Sequence, residues 1–344
     1  LSDAYHIDAK YRSMRGPWGQ QGVFLRESPE PELLWITGYQ TQVVDAATDE
    51  ALSQEFMCHA NLDLDPFEYR SDFDLQHAVS ARVFTLSQGQ DQITFPVGFG
   101  IPILSTEVLT LTTQVLNLNV EEPDMRVRQK VTIDFVRDND VTEPMKPLFL
   151  GAVQGFKSLE GDGLVYGIAD PDMEAHGAGC AVGSSAIEND IDRDAHGREF
   201  TAHWVVEPGR EVTNTLVTEF LELELDTTVH YIAVHLHPFA ESLELFDRTS
   251  GESVFRAEVQ GSTDRIGIER VPFFSSVEGK ALASDHEYEL VSVYDNTSGE
   301  EQDSMAVMYL YLHDPTWEKP DLTRVAVAPM ESARDATAEG PPRM

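Results

Sequence analysis

Residues 229–237 read Val229-His230-Tyr231-Ile232-Ala233-Val234-His235-Leu236-His237. The run is apolar and rich in β-branched residues, which favour strands. Successive side chains of a strand point to opposite faces, so His235 and His237 share one face. Two imidazoles on one face can reach a single metal ion. The run therefore predicts a strand that carries a candidate metal chelate.

The same alternation recurs along most of the chain, whereas sustained helical periodicity is rare. Turn-forming residues (Gly, Pro, Asn and Asp) bound most of the segments. The predicted strands are 34–44, 55–64, 80–86, 107–119, 127–136, 213–224, 229–237, 242–247, 287–294 and 305–312. Many short strands with turns between them favour sandwiches or barrels over βαβ units. We therefore predict an all-β fold of two tandem jelly-roll-like antiparallel β-sandwich domains.

The chain of 344 residues exceeds the usual size of one hydrophobic core. Charge, turn formers and two prolines concentrate at residues 137–147, which predicts a domain break there. We expect an N-terminal domain at 1–145, a C-terminal domain at 146–314 and an extended tail at 315–344. A stretch at 155–200, rich in Gly and Asp, predicts a long surface insertion.

Acidic residues dominate the charge, with 60 Asp and Glu against 24 Lys and Arg and a formal net charge of -36. Such a surface repels nucleic-acid phosphates and anionic lipid headgroups. The sequence also lacks an apolar run of about 18 residues that would span a bilayer. We predict no nucleic-acid binding and no membrane insertion. The acidic surface favours cations as partners, or it simply keeps the protein hydrated in salt.

Two cysteines, Cys58 and Cys180, are too few for a disulfide scaffold. One bridge and two free thiols are both compatible with the sequence. Leu1 is not a natural initiator, so we expect an upstream segment that processing or cloning removed. The corresponding prediction is an extracytoplasmic protein, periplasmic or secreted.

Three alternating aspartates, Asp190, Asp192 and Asp194, suggest calcium, which prefers several oxygen ligands. The EF-hand spacing requires Gly at the sixth position and Glu at the twelfth, where this chain has Ala195 and Thr201. We predict a solvated acidic loop, with a calcium site of another type as the alternative. Because no nucleotide-binding, serine-hydrolase, zinc-protease or Cys-x-x-Cys motif is present, metal chemistry on histidine remains.

The order of motifs in the second half resembles the C-terminal copper domain of the ascorbate-dependent type II copper monooxygenases. This is the family of peptidylglycine α-hydroxylating monooxygenase and dopamine β-monooxygenase. In that family a Pro-Gly turn precedes a His-x-His strand, and a later Met follows an acidic residue and opens a Tyr-rich strand. The matching segments here are Pro208-Gly209, His235-Leu236-His237 and Asp303-Ser304-Met305.

The resemblance implies that His235, His237 and Met305 bind one copper ion per chain. Two imidazoles and a thioether suit Cu(I), which prefers soft donors. Met308 is predicted to point to the other face, and His230, at an odd offset from His235, to face away from the metal. For His203 we favour a structural role, with an approach to the copper as the alternative.

The first half resembles the family more faintly, at Phe56-Met57-Cys58-His59, Phe95-Pro96-Val97-Gly98-Phe99-Gly100 and Gln114-Val115-Leu116-Asn117. The family's N-terminal copper uses an adjacent His-His pair and a later His. This chain has Gln76-His77 and Leu116 at those places. We therefore predict a degenerate N-terminal copper site, with His59 and His77 meeting across a sheet as the alternative.

The leading functional hypothesis is a mononuclear copper protein related to these monooxygenases, with oxygen activation at the His-His-Met site. It implies an external reductant and a small-molecule substrate as partners. Ala233 replaces the Arg with which the amidating enzyme holds its substrate, so glycine-extended peptides are not expected. The alternatives are a non-catalytic extracytoplasmic copper-binding or carrier protein and a structural protein that kept only the fold. Beyond the ligands, the sequence assigns no catalytic residue.

Overall fold

A computed structural model describes residues 1–26, 28, 30–75, 79–161, 163–169 and 191–324. Most of these residues lie in strands, and two short helices, α1 (Pro66–Asp72) and α2 (Thr218–Leu221), interrupt them. Single 3-10 turns occur at Gln54–Phe56, Asp138–Asp140 and Leu322–Arg324. No helix in this described part of the chain is long and apolar enough to cross a membrane.

The strands of the first half are β1 (Tyr5–Ile7), β2 (Trp18–Val23), β3 (Leu33–Asp45), β4 (Met57–Asp63), β5 (Arg82–Ser87), β6 (Gln92–Thr94), β7 (Phe99–Leu104), β8 (Leu109–Val115) and β9 (Met125–Arg137). Those of the second half are β10 (Lys146–Gln154), β11 (Lys157–Ser158), β12 (Ile191–Arg193), β13 (Glu199–Thr201), β14 (Trp204–Val206), β15 (Gly209–Leu216), β16 (Thr227–Leu236), β17 (Ala240–Asp247), β18 (Glu252–Glu258), β19 (Gln260–Gly261), β20 (Ile268–Arg270), β21 (Phe274–Leu282), β22 (Tyr288–Asn296), β23 (Gln302–Ser304) and β24 (Ala306–His313).

The chain divides into two compact units. The first contains residues 1–150, 275–278 and the described part of the chain from 311, and the second contains 151–274 and 279–310. The division therefore falls inside β10, whereas the sequence-based boundary after residue 145 lies just before that strand.

The first unit contains two sheets with the strand orders β1-β9-β3-β7 and β2-β8-β4-β5. With β6 set aside as a side strand on β3, the eight strands follow the order 1-8-3-6 and 2-7-4-5. This is the order of a jelly roll, in which two Greek keys interleave. Between the sheets, Tyr39 of β3 stacks on Phe84 of β5 with ring centroids 4.9 Å apart.

The second unit repeats this strand order, with β10-β24-β16-β21 in one sheet and β15-β22-β17-β18 in the other. The predicted fold class, two antiparallel jelly-roll-like sandwiches, is confirmed. Strands β10 and β7 pair in parallel over the short segment at Lys146 and Pro147. The apolar run at residues 229–237 forms most of β16. This strand lies between β24 and β21, and almost all of its residues are buried.

The described part of the predicted tail, residues 315–324, contacts the first unit. Trp317 packs its ring edge against Trp35 at a centroid distance of 5.3 Å and also contacts Phe73 at 5.9 Å. Lys319 forms an ion pair with Asp138. These contacts hold the beginning of the tail on the surface of the jelly roll.

Candidate metal centre

The two histidines of the predicted chelate lie at the end of β16. His235 is the next-to-last residue of the strand, and His237 follows its last residue. Their ring centroids are 5.4 Å apart and their planes are almost perpendicular, at 89°. Both side chains are buried. The structure therefore brings the two imidazoles together, as the spacing predicts.

The ring of His237 has a fixed orientation. Its Nδ1 lies 3.3 Å from the backbone carbonyl oxygen of Asp303. A carbonyl oxygen can only accept, so this hydrogen bond places the proton on Nδ1 of His237. Histidine ligands of metal ions usually donate their other ring N–H to such an acceptor. The surroundings of His237 thus fit a metal ligand.

Met305 lies between β23 and β24 and is half-buried. The hydroxyl of Tyr294 donates a hydrogen bond to the Met305 carbonyl oxygen at 2.6 Å and accepts one from the His237 backbone N–H at 3.3 Å. Because both atoms contact the same hydroxyl, the His237 backbone nitrogen and the Met305 carbonyl oxygen are no farther apart than the sum of these two hydrogen-bond distances. The structure places the backbone of the third predicted ligand next to the histidine pair.

Local pairing explains why Met305 lies there. Strand β23 pairs antiparallel with β14, with Ser304 opposite Trp204, and the Ser304 hydroxyl donates to the Trp204 carbonyl oxygen at 3.2 Å. The Asn296 amide donates to the carbonyl oxygens of Val206 and Glu300 at 2.8 and 2.7 Å. These bonds hold the loop that leads from β22 into β23.

Tyr294 is itself held in the interior. Burial raises the pKa of Tyr294 far above its ordinary value, so the hydroxyl keeps its proton and acts as a donor. Its ring meets the edge of the Trp204 ring at a centroid distance of 6.0 Å. The Trp204 indole N–H donates to Glu211 at 2.9 Å, and Lys157 pairs with the same carboxylate at 2.6 Å.

In the described residues, no group of three or more His, Cys, Asp and Glu side chains is arranged to hold a metal ion. No third imidazole, carboxylate or thiolate from this part of the chain therefore completes the pair of His235 and His237. The thioether of Met305 lies outside that set of donors. The resemblance in sequence predicts this thioether as the third ligand, beside the two imidazoles.

The neighbouring histidines have other contacts. His230 is buried, its Nε2 lies 2.8 Å from the Thr228 hydroxyl, and its ring packs so closely on Gly279 that a Cβ there would lie 2.7 Å from the ring. His203 is half-buried, and the Thr201 hydroxyl donates to its carbonyl oxygen at 2.8 Å and accepts from its N–H at 3.2 Å. The ring contacts of His230 are those of a residue with a structural role, whereas the contacts of His203 involve only its backbone, and its structural role stays a prediction.

In the described part of the first unit, His59 is a buried imidazole in the region that resembles the family's N-terminal copper site. Burial, together with the charge of Arg82, lowers the pKa of His59 to about 4, so this side chain is neutral at physiological pH. Leu116, at the place of a family ligand, is buried. His77 lies outside the described residues, as does Cys180, whereas Cys58 is a buried free thiol. The degenerate N-terminal copper site stays a prediction.

The acidic triplet of the insertion divides between two environments. Asp190 lies outside the described residues, and Asp192 is exposed on β12. Asp194 is buried and accepts hydrogen bonds from the Arg198 guanidinium and from the backbone N–H groups of His196 and Arg198. The Asp194 carboxylate, which a calcium ion would need as a ligand, is therefore already bound by Arg198.

Sequence reasoning missed Tyr294. The alternation along β22 places Ser292 and Tyr294 on one face, which predicts burial. Nothing in that pattern shows that the Tyr294 hydroxyl lies between His237 and Met305, because these residues come from three different strands and loops.

No family model matches the chain, and no curated protein matches it. Among solved structures, the chain is similar to the major capsid protein P2 from bacteriophage PM2, with 8% identity, coverage of 92% of this chain and 100% of that chain, and a TM-score of 0.30. It is also similar to the infectious bursal disease virus VP2 subviral particle, with 8% identity, coverage of 91% and 71%, and a TM-score of 0.19. Likeness at such TM-scores carries no argument about what this chain binds or does.

Proposed function

We propose that this chain is a mononuclear copper protein related to the type II copper monooxygenases. His235, His237 and Met305 hold the ion in this proposal. The observation that carries it is the orientation of His237, whose Nδ1 faces the carbonyl oxygen of Asp303 two residues before Met305. This contact orients the imidazole and brings it to the segment that would supply the thioether.

The donor set favours copper over other metals. Thioether and imidazole donors suit Cu(I), whereas magnesium and calcium prefer oxygen ligands. A bound copper ion would supply one-electron exchange with an external reductant and a position at which oxygen reacts. The chain's own contribution is to orient His237 through Asp303 and to bury both imidazoles away from water.

Leu116 favours a second candidate within the same proposal, a copper carrier outside the cytoplasm. A buried leucine stands where the resemblance requires a ligand for a second copper, which would deliver electrons during turnover. A carrier binds copper and turns over no small-molecule substrate. An enzyme with one copper must accept every electron directly from the reductant.

We expect wild-type protein to retain one copper per chain after loading and desalting, measured by mass spectrometry for metals. The double variant His235→Ala/His237→Ala should retain none, because a single thioether does not hold copper against a desalting column. Met305→Ala should keep Cu(II) and lose Cu(I) preferentially.

The matched control is His6→Ala/His196→Ala, which removes the same number of imidazoles from exposed positions. It should retain copper like the wild type. Wild-type protein without copper, or equal copper in both double variants, would contradict the proposed function. Oxygen consumption by the loaded protein with a reductant and candidate substrates then separates an enzyme from a carrier.

A further inference from the structure

One hydroxyl group joins the two segments that carry the proposed ligands. Tyr294 accepts from the backbone N–H of His237 and donates to the carbonyl oxygen of Met305. A phenolic hydroxyl has one proton to donate, and here the Met305 carbonyl takes it. Strand β24, which begins at Ala306, already pairs with β16, and this oxygen adds a second connection between the histidine strand and the methionine segment at the end of that pairing.

The strand pairing of Tyr294 and the contacts of its ring hold the oxygen atom in place. Tyr294 lies in a central strand, opposite Glu211 of β15 on one side and Ala240 of β17 on the other. Its ring is buried and contacts Trp204. Met305, in contrast, lies between two strands and carries a flexible side chain.

We propose that Tyr294 is a positioning residue that holds Met305 beside the histidines before the metal binds, and that it thereby sets the preference of the site for Cu(I) over Cu(II). This inference rests on the proposed function. The thioether is a soft donor, so its placement matters for Cu(I) far more than for Cu(II), which the two imidazoles bind without it. Without the Tyr294 hydroxyl, the backbone of Met305 is held only by the strands on either side of it, so the thioether lies beside the histidines for a smaller fraction of the time.

The test compares Tyr294→Phe with Tyr288→Phe. Tyr288 lies on the same strand and is buried, and its hydroxyl accepts from the Ala283 N–H at 2.8 Å and donates to the Ala283 carbonyl oxygen at 3.0 Å. Both variants keep the ring and lose two hydrogen bonds to the backbone. They differ in whether those bonds support the candidate metal centre.

Dissociation constants for Cu(I) and Cu(II) are measured by competition with chelators. We expect Tyr294→Phe to weaken Cu(I) binding by at least about tenfold and Cu(II) binding by less than about threefold, since tenfold corresponds to the loss of about one well-placed interaction. Tyr288→Phe should change neither constant by more than about threefold. In the metal-free protein, amide exchange at His237 should be faster in Tyr294→Phe alone.

Equal effects of the two variants, or an equal loss of Cu(I) and Cu(II) binding in Tyr294→Phe, would overturn this inference while copper binding by the wild type still supports the proposed function. A wild type that binds no copper would overturn both. The amide exchange of His237 is read without metal, so it separates a broken contact at Tyr294 from a failure of copper loading.

Discussion

Replacing Arg198 with methionine should lower the free energy of unfolding by about 3–5 kcal/mol, because it leaves a buried carboxylate without its counter-charge. Arg198 and Asp194 form an ion pair whose side chains are only 2% and 0% exposed. Methionine keeps much of the apolar length of the arginine. The change therefore tests the charge and its hydrogen bonds more than the packing. Urea denaturation of wild type and variant gives the difference.

The guanidinium of Arg198 also joins two parts of the insertion. It donates to the carbonyl oxygens of Val165 and Ile168 at 2.9 and 2.7 Å, and it lies over the Phe200 ring at 5.4 Å. Its loss leaves two carbonyl oxygens and one carboxylate without this donor. Buried acceptors without a partner are destabilising, which adds to the effect of the unpaired charge.

Two further variants separate the causes. The double variant Asp194→Asn/Arg198→Met removes both charges, so it should be more stable than Arg198→Met alone. Arg193→Met breaks the exposed pair with Glu199 and should leave the unfolding midpoint unchanged. The prediction would be contradicted if Arg198→Met lowered the free energy of unfolding no more than Arg193→Met does.

The alternation of side chains was enough to predict the fold class, because it reports on burial one strand at a time. It predicted the run at 229–237, which forms β16 at Thr227–Leu236. The strand order that makes each unit a jelly roll comes from pairings between distant segments. Two buried strands of one sheet look alike in sequence, so local patterns do not distinguish their neighbours.

The predicted strand at 213–224 was wrong in its second half. Strand β15 ends at Leu216, and α2 follows at Thr218–Leu221. The first residue of β22 stabilises this turn, because the Val217 N–H donates to the Tyr288 carbonyl oxygen and the Tyr288 N–H donates to the Thr218 hydroxyl. A tertiary contact therefore overrides the β propensity of the segment.

The candidate metal site could likewise be predicted only in part from the sequence. The pair His235 and His237 follows from a period of two, which sequence reveals directly. The contacts that orient the pair do not, because Asp303 contributes a backbone carbonyl and Tyr294 a hydroxyl from another strand. For the acidic insertion, the sequence shows the charge of Asp194 but not its burial against Arg198, so the prediction of a solvated loop fails at that residue.

Replacing Glu107 with glutamine should stabilise the protein above about pH 8 and have little effect below about pH 5. Glu107 lies in the turn between β7 and β8 and is buried. Burial, followed by the carboxylates of Asp72, Glu68 and Asp65, raises the pKa of Glu107 from 4.5 to about 8. The folded protein therefore holds a proton on this carboxyl that the unfolded chain has already released at neutral pH.

The sign of the pH effect follows from the two pKa values. The pKa is higher in the folded state, so the wild type loses stability as the pH rises from 4.5 toward 8. Above that range the charged carboxylate destabilises the fold by roughly 5 kcal/mol, since each pKa unit corresponds to about 1.4 kcal/mol. Glutamine resembles the protonated form and does not titrate, so the variant avoids this loss.

The measurement is the free energy of unfolding from urea denaturation at about pH 5 and about pH 9, for wild type and Glu107→Gln. The difference between the two proteins isolates Glu107, because the other groups titrate in both. Glu68→Gln serves as the control, since it removes one neighbouring charge at an exposed position and leaves the buried carboxyl in place. Because Glu68 is only a minor cause of the raised pKa of Glu107, this variant should still lose stability as the pH rises, by slightly less than the wild type. A difference between Glu107→Gln and wild type that stays constant from acid to alkaline pH would show that the pKa of Glu107 is the same in the folded and unfolded chain, and would contradict the prediction.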